Sequence, residues 1–185
     1  MKNDLAKVLI TQEELARRVA ELGAQISADY VEKEPILVCI LKGASIFYAD
    51  LCRAVTIPMN MDFMAVSSYG NRTKSSGEVE IRKDLSGPID GRHVIIVEDI
   101  VDSGFTLSYL SRVLSNRGAA SVRICTLLDK PERRAPGITI KADYYGFTIG
   151  NEFVVGYGLH HCGNQWNISG KRRRFASFKF NNRGL

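Results

Sequence analysis

Apolar positions in this chain follow two rhythms that alternate along its length. Leu15, Val19, Leu22 and Ile26 recur at the spacing of one helical face, directly behind Thr11 and Glu14, which form a capping box, so the spacing predicts that the chain opens with a helix. The second rhythm is continuous. Residues 36–41, set off by Pro35, and residues 94–97 are unbroken apolar runs rich in β-branched side chains, as strands buried on both faces of a parallel sheet require. Residues 61–68 and 79–85 predict two further strands, and 122–128 another. Between 94–97 and 122–128, Leu107, Leu110 and Leu114 return to helical spacing until Gly118 offers a stop. That order of strand, helix and strand demands a right-handed parallel crossover. The expectation is one α/β domain, a mostly parallel twisted sheet flanked by helices on both faces.

Polar residues gather where the runs end. Glu98 and Asp99 follow the 94–97 run, placed where the backbone leaves the sheet, and in open α/β sheets ligands bind outside the carboxyl ends of the strands. Asp102, Ser103, Gly104 and Thr106 then make a small polar turn that opens the next helix. Such a turn presents backbone N–H groups and the positive end of the helix dipole, which together favour a phosphate. Two carboxylates beside a bare phosphate would repel it. Beside a sugar phosphate they accept from ribose hydroxyls and help hold a divalent cation, so this stretch suggests a ribose phosphate with magnesium. Lys42, before the permissive Gly43, places a cation at the same sheet edge. Residues 70–77 contain no apolar side chain and read as a mobile loop, of the kind that closes over sites.

The run from Val94 to Leu107, with its two acids, two apolar residues, Asp102, Ser103, Gly104, Phe105 and Thr106, resembles the phosphoribosyl-pyrophosphate signature of the type I phosphoribosyltransferases. From about Asp4 to Leu159 the chain resembles their bacterial hypoxanthine-guanine branch. The resemblance implies that fold, with a small hood from the chain ends. It implies that Glu98, Asp99, Asp102, Ser103, Gly104, Phe105 and Thr106 bind the 5′-phosphate and ribose, with Glu98 and Asp99 holding Mg2+. Lys42, Gly43 and Arg134 would contact pyrophosphate, and Ser68 and Tyr69 would stand at the base of the closing loop. Asp129, Lys130, Pro131, Glu132, Arg133 and Arg134 resemble the segment whose lysine donates to the purine 6-oxo group. An ammonium donates to oxygen, whereas adenine's 6-amino group is itself a donor and would be rejected. Phe153 would stack on the purine and the Val154 carbonyl would meet its polar edge, roles that residue type alone would give to the core. Asp102 would be the general base. The substrates implied are phosphoribosyl pyrophosphate and a 6-oxopurine, and the protein a homo-oligomer, dimer or tetramer.

Composition changes this picture little. At 185 residues and 45% hydrophobic content the chain is of single-domain length. No apolar run approaches the ~20 residues of a membrane span and the N-terminus lacks a secretory pattern, so no membrane association and a cytoplasmic location are expected. Cys39, Cys52, Cys125 and Cys162 lack paired metal-ligand spacing and read as reduced structural thiols. The net charge of +5 hints at nucleic acid, but six of the 25 Lys and Arg follow Glu152, the last acid, leaving 19 against 20 acids up to and including it. A charge confined to the tail argues only about the tail, and Lys171 to Arg174 come with no aromatic platform, so no nucleic-acid partner is expected.

The resemblance stops after Leu159, which divides the chain into a 1–159 domain and a 160–185 basic tail without clear apolar periodicity. His160 stands where the family pattern has an aspartate that helps hold magnesium, and Trp166 near the place of an arginine that contacts pyrophosphate. A divergent tail and an altered reading frame both fit. His160, His161 and Cys162 are adjacent and project apart, so they are not read as a metal site. The expected function is purine salvage, the transfer of a phosphoribosyl group to hypoxanthine or guanine to give IMP or GMP. The alternatives are a phosphoribosyl-pyrophosphate-sensing regulator, or an enzyme impaired by its tail.

Overall fold

In a computed structural model of the chain, which describes residues 5–68, 79–159 and 175–178, the continuous apolar runs lie side by side at the centre of one sheet. The order is β1 (Leu5–Ile10), α1 (Gln12–Asp29), β2 (Ile36–Leu41), α2 (Ser45–Ala54), β3 (Asn60–Ser68), β4 (Val79–Lys83), β5 (His93–Val101), α3 (Phe105–Asn116), β6 (Ser121–Asp129), β7 (Tyr144–Thr148), β8 (Val154–Val155) and β9 (Phe175–Phe178). The large sheet runs β4, β3, β2, β5, β6, β7, parallel except where β4 pairs with β3. A second, antiparallel sheet of β1, β9 and β8 forms the hood from the two ends of the chain.

Side chains alternate across a strand, so each central strand feeds two cores. Leu37 and Cys39 of β2, Ile95 and Val97 of β5, and Cys125 and Leu127 of β6 pack with the apolar stripes of α1 and α2. Val38, Ile40, Val94, Ile96 and Ile124 meet Leu107, Leu110 and Leu114 of α3 on the other face. Both faces are covered, which is why these strands read as unbroken apolar runs. The α1 cap is formed as its spacing predicts: the Glu14 N–H donates to Thr11 Oγ1 at 3.2 Å and the Thr11 N–H to Glu14 Oε2 at 2.7 Å. Cys39, Cys52 and Cys125 are free thiols, and burial pushes the Cys39 thiol up to about 12. None of the described helices is long and apolar enough to cross a membrane.

Three features differ from the sequence expectation. A strand, β1, precedes the first helix; its partner is β9, more than 160 residues away, and no local pattern announces so distant a pairing. β9 itself lies in the tail, for which the sequence predicted no element. And β5 does not end at its acids: Glu98 pairs with Thr126, and the ladder continues through Ile100 with Leu128 to Val101 with Asp129. Tyr69 and the expected closing loop at 70–77 lie outside the described residues, as do His160 and Trp166; Ser68 is the last residue of β3.

Asp62 fastens the segment after β4 to β3. Its carboxylate accepts from the Ser86 N–H at 2.8 Å, the Ser86 hydroxyl at 3.0 Å and the Phe63 N–H at 2.7 Å. Burial alone would raise its pKa, but these donors and Lys83 outweigh it and hold the carboxyl below its ordinary value. A depressed folded pKa gives stability that is present above the unfolded value and lost as the pH falls through the folded one. Asp62→Ala should therefore cost about 1–3 kcal/mol near neutral pH in urea unfolding. The gap to the native protein should narrow steadily below about pH 4; a gap that is constant through that range would show that the ionised carboxylate is not what holds Ser86.

Candidate active site

β2, β5 and β6 are adjacent and parallel, so their carboxyl ends deliver three loops to one edge of the sheet. The first is the turn at Lys42 and Gly43, whose Leu41–Lys42 peptide is cis. A Cβ on Gly43 would lie 1.8 Å from Asp99 Oδ2, so the carboxylate occupies space that only glycine leaves open. From the hood side, Gly158, at φ +99°, is packed so closely that its Cβ would stand 2.5 Å from the Gly43 carbonyl oxygen. The 42–43 turn is thereby packed against both Asp99 and Gly158.

The second loop, 102–106, leads into α3 through Gly104, which takes the left-handed conformation at φ 82°. No side chain caps this helix start, and Ser103 and Thr106 are half-buried beside it. The third loop follows β6. Lys130 is 7% exposed, and its ammonium donates to the Glu152 carbonyl at 2.6 Å, immediately before half-buried Phe153 and buried Val154. The Lys130 N–H donates to the Val101 carbonyl at 3.0 Å, and the Ala135 N–H to the Ser103 carbonyl at 3.0 Å, so the second and third loops are stitched together. The carboxylate of Asp102 accepts from Arg133 Nε at 3.0 Å. Among the residues named from sequence, Lys42, Gly43, Glu98, Asp99, 102–106, Lys130, Phe153 and Val154 thus come from segments that meet at one edge.

Arg134, expected from sequence at the pyrophosphate, points its guanidinium under the loops. All three guanidinium nitrogens donate to protein oxygens: Nη1 to the carbonyls of Val101 at 2.8 Å, Asp102 at 2.7 Å and Lys130 at 3.0 Å, Nε to that of Ile140 at 3.3 Å, and Nη2 to the Asp129 carboxylate. It stands beneath the loops and bonds to both. Sequence reasoning also missed Arg133 as the partner of Asp102 and Gly158 as the packing partner of Gly43. A run of two arginines does not say which one turns inward.

A model of the phosphoribosyl transferase domain matches residues 8–161. The chain belongs to the phosphoribosyltransferase family. It is 49% identical over 168 residues to the hypoxanthine-guanine phosphoribosyltransferase of Bacillus subtilis, covering 91% of this chain and 92% of that one. It is 51% identical to the bifunctional protein TilS/HprT of Listeria innocua over 91% of its own length, but spans only 26% of that longer protein. Among solved structures, a hypoxanthine phosphoribosyltransferase from Staphylococcus aureus superposes with a TM-score of 0.88 at 42% identity, over 97% of this chain and 94% of that one. The α/β sheet with its hood is the type I phosphoribosyltransferase fold.

The electrostatics of this phosphoribosyltransferase site centre on Glu98. Its removal from water, and then the neighbouring Asp99 charge, push its carboxyl well above the ordinary range, although Oε1 accepts the Asp99 N–H at 3.0 Å. Adjacent carboxylates that resist joint ionisation are relieved by a divalent cation. No cluster of three or more His, Cys, Asp or Glu suited to a metal occurs among the described residues, and Glu98 and Asp99 are a pair of adjacent carboxylates. That donor set suits magnesium, which takes one or two carboxylates and completes its shell with water and substrate oxygens.

The close approach of Asp99 to Gly43 is testable. Gly43→Ala should cost about 1–3 kcal/mol in denaturant unfolding, and most of that cost should vanish in an Asp99→Ala background. Equal costs in both backgrounds would mean that something other than the carboxylate fills the space.

Proposed function

We propose that the chain is a purine-salvage enzyme that transfers the phosphoribosyl group of phosphoribosyl pyrophosphate to a ring nitrogen of hypoxanthine or guanine, giving IMP or GMP and pyrophosphate. The observation that carries this reading is the placement of Lys130, a buried residue whose ammonium donates to the Glu152 carbonyl and whose N–H donates to the carbonyl of Val101, the residue before Asp102. A cation fixed there donates to a 6-oxo group and disfavours a 6-amino group. The Lys130 backbone is also one hydrogen bond from Val101, the residue before the turn suited to a sugar phosphate.

Each demand of the reaction has a group to meet it. The N–H groups of the 102–106 turn that opens α3, with the Ser103 and Thr106 hydroxyls, anchor the 5′-phosphate. Glu98 and Asp99 accept from the ribose hydroxyls and would hold Mg2+, which when bound offsets charge on pyrophosphate. Lys42 and the Gly43 turn take the pyrophosphate, and Phe153 stacks on the base. Displacement breaks the bond from the anomeric carbon to pyrophosphate oxygen and forms one from that carbon to the purine nitrogen. The proton on that nitrogen passes to Asp102, with Arg133 keeping the carboxylate in place. In the same reading Ser68 and Tyr69 begin the closing loop and the protein is a cytoplasmic homo-oligomer, dimer or tetramer. A second reading, an enzyme impaired by its tail, draws on the family match ending at residue 161, with His160 and Trp166 in place of an expected aspartate and arginine.

Steady-state turnover with magnesium and phosphoribosyl pyrophosphate should be found for hypoxanthine and guanine and be absent for adenine. Turnover only in a version whose tail follows the family pattern from residue 160 would favour the impaired enzyme; none in either would sink the assignment. Asp102→Asn should lower kcat by about 10²–10⁴-fold while the KM for phosphoribosyl pyrophosphate stays within about threefold. Unaltered turnover would remove Asp102 from the base role.

A further inference from the structure

Arg134 touches both substrate-facing loops at once. Its side chain is 13% exposed and its guanidinium is paired with Asp129. Nη1 is shared among the carbonyls of Val101 and Asp102, which open the 102–106 turn, and of Lys130, the proposed purine reader. Its Cδ lies 3.3 Å from where a Cβ on Gly104 would stand, so the stem of the side chain backs the same turn. We infer that Arg134 is a positioning residue that couples the two subsites, so that a ligand on the 102–106 turn tightens the purine pocket and the reverse. The inference rests on the function proposed above for those two loops.

The physical route is short. A peptide group is planar, with its carbonyl and the following N–H pointing in opposite directions. The carbonyls of Val101 and Asp102 held by Arg134 therefore belong to the same rigid peptide units as the N–H groups of Asp102 and Ser103. When an anion accepts from those N–H groups, it orients and polarises units already bonded on their far side to a cation. The guanidinium is flat, and its five donors are fixed relative to one another, so a shift at one carbonyl is carried to the others. One of those others belongs to Lys130. The Lys130 N–H shares the Val101 carbonyl with Arg134, which gives the same two loops a second link. Nor can the guanidinium simply turn away, because that would leave the largely buried Asp129 carboxylate unpaired.

Coupling between two ligands is reciprocal and is measured as the factor by which each changes the other's affinity. The probes are phosphoribosyl pyrophosphate with magnesium and 9-deazahypoxanthine, which has carbon in place of the attacking nitrogen and cannot react. In calorimetric titrations of the native chain, each should tighten the other by about tenfold or more, within the usual range for coupled sites. In Arg134→Lys, which keeps a charge but not the fork, the factor should fall below about threefold. If Arg134→Lys does not melt cooperatively above the assay temperature, Asp129→Asn, which loosens the guanidinium from its anchor, should show the same loss. A folded variant that keeps the native factor, even with each ligand bound more weakly alone, would make Arg134 a structural strut and overturn the inference. So would a native chain that binds both probes independently, with the proposed activity left standing. A native chain that binds neither overturns both.

Discussion

The parallel ladder between β5 and β6 is the constraint on which the rest of this molecule depends. It runs from His93 with Ser121 to Val101 with Asp129, and it is buried on both faces through most of its length. Because the two strands end in register, the loops that follow them start side by side. The 102–106 turn and Lys130, to which the proposed function gives the sugar phosphate and the purine, are neighbours as a result. Backbone bonds from Lys130 to Val101 and from Ala135 to Ser103 extend the ladder beyond the strands, and Arg134 closes it from beneath.

That arrangement separates rigid parts from groups that must respond to charge. Asp99 is seated against Gly43, and Gly43 against Gly158, so three segments approach more closely than side chains would permit. Glu98, next to Asp99 and short of water, is held toward its neutral form. Two adjacent carboxylates short of water carry an electrostatic cost that a bound cation would relieve. Elsewhere, the polar groups near the sheet serve the fold: Tyr48 donates to the Leu37 carbonyl at 2.9 Å and ties α2 to β2, and Arg18 caps two carbonyls of β7 at the sheet's edge.

Much of this was legible from residue order because the relevant signals are local. The box at Thr11 and Glu14, the helical leucines of α3 and the unbroken runs of β2, β5 and β6 each lie within one element and report its period. The acids and the glycine turn at 98–106 form one contiguous stretch, so their chemistry could be read together. Arg134 could not be read that way. Residue order does not say that the carbonyls of Val101, Asp102 and Lys130 gather around it, because carbonyls carry no residue-specific signal.

By itself, the order of amino acids determined the α/β class, the central strands, the helix that starts at Phe105, and the stretch where acids, hydroxyls and glycine meet. These follow from periodicity and steric freedom, which act over a few residues. Tertiary structure alone decided that the chain begins with a strand, that the tail supplies its partner, that Gly43 makes room for Asp99, and that Arg133 holds Asp102 while Arg134 turns inward. Each of these is a contact between positions far apart in the chain or a choice between identical side chains, and only the packing of the folded backbone sets such distances.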